Sequence, residues 1–255
     1  MNRTSPGFGL RFPFLLLASI TLLLTLTPTT GLSQTKSGTD DYPLSSLEKA
    51  VLEEMNLARS NPVQYASYLE AWRKYYQGKT FKQPGSSAVE TIEGAVALEE
   101  AITYLRSAKA LPQLQISKGM CMGAKDQSFD QGQTGDVSHM GKDKSFSWDR
   151  VARYGEWKNP VSENIAYDSG TAREIVINLI IDDGVPTRGH RKNIFNASHI
   201  VTGISCGSHP LFGNMCVCTF AGGFTDKASQ GAVNAKPASA PPAASQPSPP
   251  KARKL

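Results

Sequence analysis

The chain has 255 residues, with 27 basic and 22 acidic side chains and a formal charge of +5. The excess is terminal: residues 1–33 carry two bases and residues 228–255 four, with no acid in either, which leaves 21 bases against 22 acids, or −1, between them. This excludes reading the basic balance as a nucleic-acid footprint, and a central stretch of this size is one domain.

The chain opens with Arg3, Arg11 and an apolar run from Phe12 to Leu26. That run is shorter than the roughly 20 residues a membrane span needs. It suits the apolar core of a secretory signal, with Gly31 and Ser33 offering a cleavage point before Gln34. Residues 1–33 are therefore expected to be a signal peptide and 34–44 a short leader. The folded domain is expected over 45–227, with no membrane span after cleavage.

Ser45-Ser46-Leu47-Glu48 predicts a capped helix, carried on by Leu47, Ala50, Val51, Met55 and Ala58 at helical spacing. Asn61-Pro62 ends it and starts another. Tyr65, Tyr68, Trp72, Tyr75 and Tyr76 could line a groove, although at this spacing aromatics also build cores. Gly78 to Ser87 reads as loop, Glu93 to Ala108 as a third helix, and Ser117 as the cap of a fourth ending near Gln131. A polar loop with His139 follows. Val161 to Tyr167 reads as extended, and Thr171-Ala172-Arg173-Glu174 as a second capping box opening a helix that Gly184 and Pro186 end. Two strands, Gly203 to Cys206 and Met215 to Phe220, form a hairpin. Residues 228–255, rich in Ala, Pro and Ser, read as a disordered tail, too poor in large apolar residues to offset the entropy of ordering.

Cys121, Cys206, Cys216 and Cys218 are an even set for an oxidising compartment. Cys216 and Cys218 share one strand face, so the expected bridge runs across the hairpin from Cys206. Cys121 could take the remaining strand cysteine.

Three motifs stand in order: Ser138-His139-Met140-Gly141, Ser162-Glu163-Asn164-Ile165-Ala166, and Arg188-Gly189-His190-Arg191-Lys192-Asn193-Ile194-Phe195-Asn196. Together they resemble the secreted bacterial branch of the CAP superfamily: the cysteine-rich secretory, antigen 5 and pathogenesis-related 1 proteins, or SCP domain. The resemblance covers roughly residues 45 to 224. It implies an α+β fold, a three-layer α-β-α sandwich with a central antiparallel sheet. It also implies two His and two acids around one cleft, here His139, Glu163 and His190. Many members carry a Glu on the helix before the last His, where this chain has Asp182-Asp183. Asp183 is the expected second acid and Asp182 the alternate.

Two adjacent acids in the last turn of a helix oppose its dipole. Either a cation faces them (protonated His190, Arg188, Arg191 or a metal) or they are two solvated acids at a frayed helix end. His139 and His190 with carboxylates would suit Zn²⁺ or another divalent ion. Glu163 and Asn193 could equally brace the backbone. The chain has neither His-Glu-x-x-His nor Gly-x-Ser-x-Gly. The expected function is a secreted or envelope binding module, non-catalytic, for a lipid, sterol or other ligand. The alternatives are an envelope structural protein held by its tail and a metal-assisted hydrolase or peptidase using the same cleft.

Overall fold

A computed structural model describes residues 42–227; the expected signal peptide, most of the leader and the tail lie outside the described residues. Helix α1 (Ser46–Ser60) starts at a reciprocal cap, Ser45 Oγ accepting the Glu48 N–H while Glu48 accepts the Ser45 N–H. The same carboxylate accepts the Cys206 N–H at 3.0 Å, so the capping residue also covers a sheet edge. Asn61 caps α2 (Pro62–Glu70), whose first residue is proline.

In and on either side of the expected Gly78–Ser87 loop, β1 (Tyr76–Gln77), β2 (Thr80–Phe81) and β3 (Val89–Glu90) form a small antiparallel sheet. Its nucleus is Phe81, whose ring lies 5.2 Å from Trp72, 6.2 Å from Tyr75 and 4.8 Å from Tyr76. Next come α3 (Ala95–Ser107), β4 (Gln115–Ile116) and α4 (Lys118–Thr134), the last capped by Ser117. A short helix, α5 (Ser147–Ala152), falls where only loop is expected. Strand β5 (Gly155–Tyr167) begins six residues before the expected segment and carries a register shift between Lys158 and Val161. Helices α6 (Ala172–Ile181) and α7 (Gly189–Ile194) lead to β6 (Val201–His209) and β7 (Gly213–Asp226).

The main sheet has the order β4-β6-β7-β5. Its three long strands are antiparallel, and the two-residue β4 pairs parallel with β6 at one edge. Side chains alternate across it. Cys216, Cys218 and Phe220 join Ile204 in the core shared with α1, α2, α3 and α6. Met215, Val217 and Ala221 turn to the other face, against Ala124 and Met120 of α4 and Val151 of α5. Helices thus cover both faces, and the fold is the expected α-β-α sandwich.

The bridge runs from Cys206 to Cys216, its direct partner in the β6–β7 register. Cys121 does not take the remaining strand cysteine; Cys121 and Cys218 are both free and buried. Cys121 sits at the outer edge of β6, where its Sγ accepts the Ile204 N–H at 3.4 Å. Cys218 lies one strand further in and turns into the main core. Burial pushes both thiols up to about 12, so neither forms a ready thiolate.

Helix α4 approaches the sheet closely at Gly203. A Cβ there would stand 2.0 Å from the Met120 carbonyl carbon and 2.3 Å from the Cys121 nitrogen. Both are backbone atoms of a packed helix and cannot swing aside. Gly203→Ala is expected to lower stability by about 3 kcal/mol, the upper end of overpacking costs. Urea unfolding checks this; a variant as stable as the parent would show that α4 can slide.

Candidate functional site

Four elements meet at the site. The loop between α4 and α5 brings His139, β5 brings Glu163, the end of α6 brings Asp182, and α7 brings His190. His139 Nδ1 lies 3.0 Å from Glu163 Oε1, and His190 Nδ1 lies 2.7 Å from Asp182 Oδ1. The two imidazole centroids are 6.4 Å apart. The Glu163 and Asp182 side chains are 3 % and 2 % exposed, whereas His139 and His190 are 53 % and 24 % exposed. Two buried carboxylates therefore hold two accessible rings from behind.

An ionised carboxylate can only accept, so each neutral ring donates its Nδ1–H and keeps its lone pair on Nε2. The other carboxylate oxygens are also engaged. Glu163 Oε2 accepts from Arg150 Nη2 at 2.6 Å, and Asp182 Oδ2 accepts the His190 N–H at 2.9 Å. Arg150 is fully buried, and its Nη1 donates to the Ser145 carbonyl at 2.7 Å and the His139 carbonyl at 3.3 Å. One guanidinium thus holds the His139 backbone and the acid that orients its ring.

The loop carrying His139 has further anchors. Gln127 and Gln131, on the inner face of α4, both donate to the Ser138 carbonyl. His209 Nε2 donates to the Asp136 carbonyl at 3.1 Å while its Nδ1 accepts the Leu211 N–H. Sequence reasoning missed Arg150, Gln127 and Gln131. The glutamines had a signal: with Ala124 and Ser128 they form an i, i+3, i+4, i+7 stripe on a helix otherwise poor in apolar residues.

The two later motifs interlock. Asn164 donates to the His190 carbonyl at 3.0 Å, and Asn193 donates to Asn164 Oδ1 at 2.8 Å and the Glu163 carbonyl at 3.3 Å. Asn193 accepts in turn at its own carbonyl from His199 Nδ1 at 2.8 Å. Arg191 closes the end of α6, donating to the Ile180 and Ile181 carbonyls at 2.6 and 3.1 Å.

Of the two adjacent acids, Asp182 touches His190. Asp182 takes a left-handed conformation at φ 59° as the C-cap of α6, which turns its carboxylate back toward α7. Asp183, the first choice from sequence, points the other way. Its carboxylate accepts the Ile92 and Glu93 N–H groups at 2.7 and 2.8 Å, tying the approach to α3. The shorter aspartate reaches its His because it leaves from the cap and not from within the helix. Arg188 faces neither acid side chain; it pairs with Glu93 and Glu100, and its hydrogen bonds hold the Glu93 carboxyl at about 2.

Each Nδ1 is taken by a carboxylate, so the pair offers a cation two Nε2 nitrogens. Among the described residues no group of three or more His, Cys, Asp and Glu side chains is placed to hold a metal. The donor set fits an ion that shares its coordination with water or with a ligand's own oxygens, and the carboxylates would act as the outer shell that fixes each ring.

The family model for the cysteine-rich secretory protein family, CAP, matches residues 99–220. An outer surface protein of Borrelia burgdorferi is 16 % identical, with a TM-score of 0.38 over 44 % of this chain and 78 % of that one. An extracellular SCP-domain protein of Bacillus anthracis is 19 % identical, with a TM-score of 0.37 over 49 % of this chain and 38 % of that one. A cysteine-rich secretory protein of Staphylococcus aureus is 12 % identical, with a TM-score of 0.32 over 49 % and 37 %. The aligned region spans little more than a third of the last two. A comparison with curated protein sequences found no match.

Two predictions follow from this geometry. Glu163→Gln removes the only carboxylate paired with the buried Arg150 among the described residues. It is expected to cost about 3–5 kcal/mol, read by denaturant titration, and to free the His139 ring, read as line broadening of its imidazole resonances. The second concerns His199, which burial drives below the ordinary imidazole range; its bond to Asn193 opposes the shift and Arg59 adds to it. The unfolded chain then takes up the proton more readily than the folded one. Stability is full above the ordinary imidazole value and falls as pH drops through it toward the depressed folded value. Unfolding curves on either side of that range should show a smaller pH-dependent loss in His199→Gln than in the parent; equal slopes would count against it.

Proposed function

Since this chain belongs to the cysteine-rich secretory protein (CAP) family, we propose that it works outside the cell or in the envelope as a binding module. Its cleft takes a divalent cation through His139 and His190. The observation that carries this reading is the matched pair of His–carboxylate contacts, 3.0 Å at His139 and 2.7 Å at His190, with both acids buried. Such pairing fixes the tautomer and raises the basicity of the nitrogen left free. The two rings so prepared have centroids 6.4 Å apart, which supports this reading. A cation bound there would supply a Lewis-acidic point for an anionic or carbonyl oxygen of a ligand. The chain's own part is to orient the two rings, each donating its Nδ1–H to Glu163 or Asp182.

The same geometry supports a second reading, hydrolysis, because a ring oriented by a buried carboxylate is also arranged as a general base. It predicts turnover that disappears in His190→Ala. The binding reading comes first because no hydroxyl or thiol is hydrogen-bonded to either ring among the described residues.

Calorimetric titration of Zn²⁺ into the full chain, beside His139→Ala and His190→Ala, tests the proposal. One-to-one binding in the parent is expected, weakened at least about tenfold by either substitution, within the range for loss of a ligand or its support. Undiminished binding in both variants would place the ion elsewhere and sink this reading.

A further inference from the structure

Beyond His190 the cleft continues as a groove. A chamber of about 380 Å³ lies next to His190, walled by Tyr76, Phe81, Tyr167 and Val185. A second, of about 640 Å³, adjoins it and extends to Trp72, Ser86 and Glu174. The chambers share Phe81, Val89, Asp168 and Asn178. The small β1–β3 sheet forms one wall, and α6 with the end of β5 forms the other.

The charge lining this groove has one sign. Asp168 and Glu174 face the larger chamber, Asp168, Asp182 and Asp183 the smaller, and no Lys or Arg lines either. Asp182 is engaged by His190. The other three carboxylates make no ion pair with a Lys or Arg among the described residues. Asp183 and Glu174 accept backbone N–H groups but face no cationic side chain. The negative field at Asp183 adds to burial in raising the Tyr76 hydroxyl to about 12. Elsewhere in the domain Glu54, Glu70, Glu93, Glu99, Glu100, Asp126 and Asp143 face arginines. The walls add aromatic faces, with Trp72 and Tyr76 flanking Phe81 at 5.2 and 4.8 Å. Carboxylates beside aromatic faces in a partly enclosed cleft attract ammonium and guanidinium groups by charge and by cation–π contact.

We infer that this groove binds an extended cationic peptide, with Lys or Arg side chains directed at Asp168, Glu174 and Asp183. Glu174 and Asp183 stand at opposite ends of α6, about 14 Å apart at 1.5 Å per residue. An extended strand covers that length in about four residues. The inference rests on reading the domain as a binding module and names its ligand class; it does not require the cation at the two imidazoles.

The test uses fluorescein-labelled hexalysine and the full chain, read by fluorescence anisotropy, with hexaglutamate as control. The variant is Asp168→Asn with Glu174→Gln. Asparagine tolerates the left-handed backbone of residue 168 (φ 52°), and glutamine can keep the cap at Thr171. Hexalysine is expected to bind the parent, to weaken as salt rises, and to bind the double variant on the order of tenfold more weakly. Failure of hexalysine to bind, equal binding of hexaglutamate, or unchanged binding by the variant would each overturn the inference. The Zn²⁺ titration, repeated on the same variant, separates the two proposals. In the parent, Zn²⁺ binding without hexalysine binding refutes the groove alone, and hexalysine binding without Zn²⁺ binding refutes the imidazole site alone; in the variant, weakened hexalysine binding with unchanged Zn²⁺ binding is expected.

Discussion

The carboxylate of Glu163 is shared between the guanidinium of Arg150 and the imidazole of His139, and it lies almost wholly out of water. Neither Arg150 nor Glu163 could be buried at tolerable cost without the other. Their union sets where α5 rests against β5 and where the loop before α5 must run. Arg150 extends the constraint by binding the Ser145 and His139 carbonyls, so a loop rich in polar residues acquires a fixed path. The exposed half of the His139 ring is thus placed by chemistry conducted in the interior.

His190 is placed by a second, parallel constraint built from different parts. Arg191 occupies the carbonyl end of α6, Asp182 turns back at the cap, and Asn164 binds the His190 carbonyl. Asn193 and Asn164 join the two halves, so strand β5 and helix α7 cannot move independently. The last motif therefore reads as one chemically mixed side chain, His190, set among residues that secure their own backbone. Ile194 completes it as a fully buried core residue.

Below both lies Arg59, 1 % exposed, which has no carboxylate partner among the described residues. It donates to the carbonyls of Pro112, Ile194, Asn196 and His199 at 2.6–3.1 Å. Its burial lowers its pKa, and carbonyl dipoles are what compensate its charge. It fastens the end of α1 to the segment that leaves α7. The interior of this domain thus spends charged groups on holding loops, while the groove beside α6 leaves three carboxylates without a Lys or Arg partner.

Local chemistry was legible in the chain. The boxes at Ser45–Glu48 and Thr171–Glu174, the Asn61-Pro62 junction and the Ser117 cap act within three residues of themselves, so spacing alone locates them. The hairpin and a bridge across it from Cys206 were also legible, but a period of two puts Cys216 and Cys218 on one face, and only the register chose Cys216. Motif order pointed to His139, Glu163 and His190, which the fold brings to one place. What the chain could not declare were contacts between different elements: Arg150 beneath Glu163 and Glu48 on the Cys206 N–H. The choice of Asp182 over Asp183 belongs with these. It turns on one left-handed residue at a helix end, and the direction that residue gives its side chain is decided by what packs against it. Sequence by itself determined the capped helices, the hairpin and the residues of the three motifs, because their signals act over a few residues. Tertiary structure alone decided which carboxylates are paired with an arginine and which are not, because the partner of a charge is set by distance in space.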